Sequence, residues 1–105
     1  MSVRVSWLPD CDQELERWAA TLPGTDPERR QLARLVLVAT EQRLAEYRGE
    51  LPDARPLPGW RPAVYWWEFH RGWWMRYCVE DVRRWFRPAE RVVTVLLVTD
   101  VPPTG

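Results

Sequence analysis

The sequence predicts an α+β domain in the order β-α-α-β-β-β, a helical hairpin packed on one face of a curved, mainly antiparallel four-stranded sheet. Three observations carry that expectation. Apolar residues recur at helical spacing between Asp10 and Arg48, the period changes to two from Ala63 onward, and four prolines between residues 50 and 62 separate the two regimes. A length of 105 residues fits one domain spanning 1–105 and one modest core.

Val3, Val5 and Trp7 alternate with Ser2, Arg4 and Ser6, as in a short strand with one buried face. Pro9 stops it. Asp10, with Gln13 three positions on, has the form of a capping box, and Leu15, Trp18, Ala19 and Leu22 then mark one helical face that ends at Pro23-Gly24. Thr25-Asp26-Pro27-Glu28 opens a second helix with a cap residue, a first-turn proline and an early carboxylate. Its apolar stripe is Leu32, Leu35, Val36 and Ala39, widened by Leu37, Val38, Leu44 and Tyr47, with Gly49 as the expected left-handed C′ residue.

The proline-rich stretch 50–62 reads as an extended surface connection. Beyond it, Tyr65, Trp67 and Phe69 share one strand face, and Val64, Trp66, Glu68 and His70 the other. The next strand places Trp73, Met75, Tyr77 and Val79 opposite Trp74, Arg76, Cys78 and Glu80. Keeping both apolar sets on one side favours a three-residue loop, Arg71-Gly72-Trp73, which pairs His70 with Trp74 and Glu68 with Arg76. The pattern from 80 to 87 fits a bulge, a hairpin extension or a helical turn equally well. Pro88-Ala89-Glu90 reads as a turn, Arg91–Thr99 as a strand apolar on both faces, and 100–105 as a tail.

Composition narrows the function classes. Hydrophobic residues are 46% and charged residues 29%, unlike a disordered tail. The longest largely apolar run, Val92–Val98, is far short of the roughly 18 residues of a membrane span. The first residues lack the pattern of a secretory signal. Cys11 and Cys78 form neither a CxxC pair nor a disulfide framework, so a cytoplasmic, reducing setting with no metal, no cofactor and no membrane partner is expected. All 15 basic residues are Arg; Lys, Asn and Ile are absent, as a GC-rich genome would produce. Net charge is zero, yet residues 61–91 carry seven Arg against four acids, and that basic segment is also the aromatic one. Eight Trp exceed what a core this small absorbs, so some should line a binding surface.

That surface is the sheet face away from the helices, with Trp66, Glu68, His70, Trp74, Arg76 and Glu80. His70 reads either as a general acid or base or as an ordinary hairpin residue. Glu68 facing Arg76 reads as an acid and phosphate-contact pair or as a cross-strand ion pair. Trp66 and Trp74 suit base stacking or a protein interface. Arg83, Arg84, Arg87 and Arg91 suit an RNA backbone or a solvated turn.

In element order, and in the stretch Trp66-Trp67-Glu68-Phe69-His70-Arg71-Gly72-Trp73-Trp74-Met75-Arg76-Tyr77-Cys78-Val79, the chain resembles the RelE/ParE superfamily of bacterial toxin–antitoxin systems. The resemblance implies a toxin held inactive by a cognate antitoxin. One branch inhibits translation as a metal-independent, ribosome-associated mRNA endoribonuclease. By that likeness Arg76 would contact the scissile phosphate and Arg71 would occupy a second basic position; His70 and Glu68, as titratable neighbours on the same face, join Arg76 in the expected catalytic set. In the nuclease branch a further basic residue and a Tyr usually follow the last strand, and Thr99-Asp100-Val101-Pro102-Pro103 has neither. Two alternatives therefore stay open: a non-catalytic toxin that binds a target such as DNA gyrase, and a degenerate relative serving as a protein-docking module.

Overall fold

A computed structural model describes residues 2–103, and these form five strands and two helices. They run β1 (Ser2–Trp7), α1 (Cys11–Ala19), α2 (Asp26–Glu46), β2 (Arg55–Leu57), β3 (Ala63–His70), β4 (Trp73–Arg84) and β5 (Arg87–Thr99). The sheet order is β1-β5-β4-β3-β2. β1 lies parallel to β5, and the other three pairings are antiparallel. The sheet is thus mixed and five-stranded. The additional strand, β2, comes from the proline-rich connection and pairs Arg55 with Trp66 and Leu57 with Val64. It is an edge strand of three residues, the setting in which a strand tolerates Pro56.

Local chemistry explains both helices. Thr25, in extended backbone, accepts from the Glu28 N–H while Glu28 accepts from the Thr25 N–H, a complete capping box. The Thr25 hydroxyl also donates to Glu28, and these bonds hold its carboxyl below the usual range. Asp10 differs from expectation. It sits at the N-cap of α1 in helical backbone and its side chain makes no cap bond. The far end of α2 closes in a Schellman motif, with Gly49 N–H on the Leu44 carbonyl and Arg48 N–H on that of Ala45. The left-handed C′ position belongs to Arg48 (φ 55°), and Gly49 follows at φ 79°.

The core lies between the helices and one sheet face: Leu15, Trp18, Ala33 and Leu44 meet Trp67, Trp73, Met75, Tyr77, Val93 and Val95. Tyr65 and Tyr77 stack across β3 and β4, and the Tyr77 hydroxyl donates to the Gly49 carbonyl at 2.8 Å. Burial pushes the Tyr77 phenol up and the Cys11 thiol up to about 11. The expected stripe of α2 is only partly used. Ala33, Thr40 and Leu44 are buried, whereas Leu35, Val38 and Ala39 face outward, because α2 leans on α1 and β1 rather than across the sheet centre.

The β3–β4 hairpin corrects the expected register. Trp66 pairs with Arg76, Glu68 with Trp74, and His70 with Trp73, around a two-residue Arg71-Gly72 turn. A bulge between Glu68 and His70 restores the parity that a two-residue turn would otherwise break. Residues 88–90, expected as a turn, belong to β5. The turn is Trp85-Phe86, and a second irregularity between Val82 and Arg84 absorbs Pro88. Of the expected tail, residues 104–105 lie outside the described residues.

Candidate functional site

Among the described residues no helix covers the second face of the sheet. Period two in β3 and β4 brings Trp66, Trp74 and Arg76 to it, and edge pairing adds Arg55. The arginines and indoles then alternate. Arg76 lies over Trp66 (5.6 Å from guanidinium carbon to ring centroid) and over Trp60 (5.2 Å), and Arg55 lies over Trp74 (5.9 Å). Each contact is within the range of a cation–π attraction. Arg76 Nε is buried and has no partner among the described residues. A guanidinium flanked by two indoles keeps its planar donor fork in place, which suits it to a phosphate or carboxylate.

Trp60 is the residue that sequence periodicity does not find. It stands on the proline-rich connection, 56% exposed, and reaches its place because the connection folds back onto the sheet. Asp53 anchors that fold-back by accepting from the Trp67 indole at 3.0 Å and from Arg43 at 3.2 Å. Burial opposes the charged form, but these donors prevail and hold the Asp53 carboxyl below its ordinary value. The signal available in the sequence was compositional: a lone Trp in a connection that holds four prolines.

The structure divides the expected catalytic set: Glu68 and Arg76 share the open face as diagonal cross-strand neighbours, and His70 lies apart from them. Glu68 faces Trp74 and accepts from the Gly72 N–H at 3.1 Å. The bulge turns His70 to the helix side, where its ring meets Trp18 at 5.4 Å. Arg71 is exposed in the turn. Of the distal arginines, Arg91 is engaged: its fork meets both Asp81 oxygens at 2.7 and 3.0 Å, and it also donates to the Arg48 carbonyl. That hydrogen bonding raises the Arg91 pKa and depresses that of Asp81. Arg83, Arg84 and Arg87 are exposed around the β4–β5 turn, whose Trp85 and Phe86 are the most exposed large apolar residues described.

No family model, curated protein or solved structure matches this chain. Among the described residues no helix is long and apolar enough to cross a membrane, and no cluster of three or more His, Cys, Asp or Glu could hold a metal ion. What can be said of function therefore rests on this chain's own surfaces.

A third surface lies on the helix side. An apolar groove of about 250 Å³ is lined by Trp18, Val36, Ala39, Trp67, Phe69 and His70, among others. It opens beside β3, whose outer edge is unpaired from Trp67 to His70 because β2 pairs only with Val64–Trp66. The outward residues Leu35 and Val38 belong to the same helix as Val36 and Ala39.

Proposed function

We propose that this chain is a toxin of RelE/ParE kind that inhibits translation by binding RNA through the open sheet face. The observation that carries the reading is Arg76, caged by Trp60 and Trp66 with a buried, unpartnered Nε. In this role Arg76 holds a phosphate, while Trp60, Trp66 and Trp74 offer π faces to bases. The action is binding rather than general acid–base chemistry, since Glu68 is turned to Gly72 and His70 lies across the sheet. The apolar groove and the free β3 edge are where a cognate antitoxin would dock, as a helix in a groove or an added strand.

One observation favours the nuclease reading as a second possibility. Arg76 retains unused donor capacity on the face where a phosphorane would need stabilising. A translation extract supplied with purified protein and a defined mRNA, read by primer extension, separates the two. The expected result is arrest with intact mRNA, relieved in Arg76→Ala and weakened in Trp66→Ala. Cuts within translated codons that vanish in Arg76→Ala would establish the nuclease instead. Translation unaffected by a folded wild-type protein would overturn the proposal.

A further inference from the structure

The β4–β5 hairpin outruns the rest of the sheet. On one side β3 stops pairing at Val79, and on the other β1 stops at Glu90, so residues 83–88 have no flanking strand. At the apex stand Trp85 and Phe86, 97% and 96% exposed. Two large apolar side chains left almost wholly open to solvent are the opposite of what burial alone would arrange. Arg83, Arg84 and Arg87 bracket them, and no acid occurs from Val82 to Ala89. The nearest carboxylates below the tip are already engaged, Asp81 with Arg91 and Glu90 with Arg4 at 2.8 Å.

We infer that this hairpin tip is a second RNA-binding element, separate from the Arg76 face, which grips unpaired nucleotides. Trp85 and Phe86 stack on splayed bases, and the three arginines meet the adjoining phosphates. The run Arg-Arg-Trp-Phe-Arg sets two π faces between cations, as a single strand sets its bases beside phosphates. A protein pocket would use the aromatic pair but gives no reason for three arginines without an interspersed acid. Paired RNA offers its bases stacked and closed to such an apex. Arg84 lies eight residues along β4 from Arg76, roughly 26 Å in a strand, so one RNA segment long enough to span that distance could engage both elements. The inference borrows from the functional reading only the choice of RNA as ligand.

Fluorescence anisotropy with a labelled 12-nucleotide single-stranded RNA, a stem-loop and a fully paired duplex tests it on the full chain. The single strand and the stem-loop should bind more tightly than the duplex. Trp85→Ala/Phe86→Ala should weaken binding to the unpaired probes by about thirtyfold or more. Arg83→Gln/Arg84→Gln/Arg87→Gln should make the slope of log affinity against log salt shallower by about 2. The tip is exposed, so both variants should keep the wild-type melting temperature. Wild-type affinity and slope in both variants would overturn the inference and leave the tip as a protein-docking knob; preference for the duplex would overturn it as well. Arg76→Gln, measured beside them, keeps this outcome apart from the functional proposal. Tip-dependent RNA binding by a protein that leaves translation untouched would sustain the hairpin element and remove the toxin reading.

Discussion

The two faces of the sheet use the same residue types for opposite ends. On the helix side Trp18, Trp67 and Trp73 are buried, Trp18 meets Phe69 edge-on at 5.3 Å, and Arg17 lies over Trp73. There the indoles fill volume. On the open side Trp60, Trp66 and Trp74 hold arginines, and their rings stay within reach of a ligand. Aromatic content alone cannot distinguish these uses; what separates them is whether a helix lies above.

The contrast can be broken most strongly under the helix side. A Cβ added at Gly49 would come within 2.6 Å of Val79 Cγ2 and 3.0 Å of Val93 Cγ2, at a backbone φ of +79°. Gly49→Ala therefore combines overpacking with left-handed strain, and thermal or urea unfolding should show a loss of about 2–6 kcal/mol. A loss under about 1 kcal/mol would show that the junction of α2 with the sheet yields easily. The next test uses neighbours on opposite faces. Met75→Ala, fully buried, should cost about 2–5 kcal/mol. Trp74→Ala forfeits a cation–π contact with Arg55 and should cost about 1 kcal/mol. Equal losses would mean that the open face also carries the fold.

Acid sharpens the comparison further. Asp53 and Asp81 both have folded-state pKa values below the ordinary 3.8. Their contribution is therefore fully present above that value and fades as pH falls through the depressed folded-state values. Urea midpoints measured from pH 6 down to pH 2.5 should drop at the acid end, and less so in Asp53→Asn/Asp81→Asn. An identical drop in the double variant would assign the acid sensitivity to other carboxylates. The smallest effect should be at the tip, where Trp85→Ala should shift stability by no more than about 0.5 kcal/mol; a larger shift would show the apex to be packed.

Much of this architecture can be read from local pattern. The first strand, the capped second helix and the alternation in β3 and β4 follow from spacing and end signals that act within a few residues. Arg91–Thr99, apolar on both faces, likewise reads as an interior strand, and it lies between β1 and β4. What escaped depends on contacts between distant residues. β2 is three residues in a proline-rich stretch, and nothing local distinguishes it from coil until Val64–Trp66 lies beside it. The bulge after Glu68 keeps Glu68 and Arg76 on one face while moving His70 to the other side, so one inserted residue separated His70 from the expected grouping. Pro88 read as a turn because its missing N–H weakens a strand, yet a bulge accommodates it within β5. Trp60 belongs to the site only through a loop path that Asp53 secures, and no periodicity encodes such a path.

The parallel pairing of β1 with β5 has a consequence for the order of folding. Ser6 and Thr94 share a hydrogen bond across 88 positions, so β1, made well before β5, lacks this partner until β5 emerges. Until then Val3, Val5 and Trp7 have no strand edge to complete, and the helices that follow can form only a partial core. Closing the longest loop last gives the chain a high contact order and a late, cooperative commitment to its structure. A fragment ending before Arg87 should accordingly show helical signal without the cooperative melt of the full chain, and any activity carried by the open face would appear only once β5 is in place.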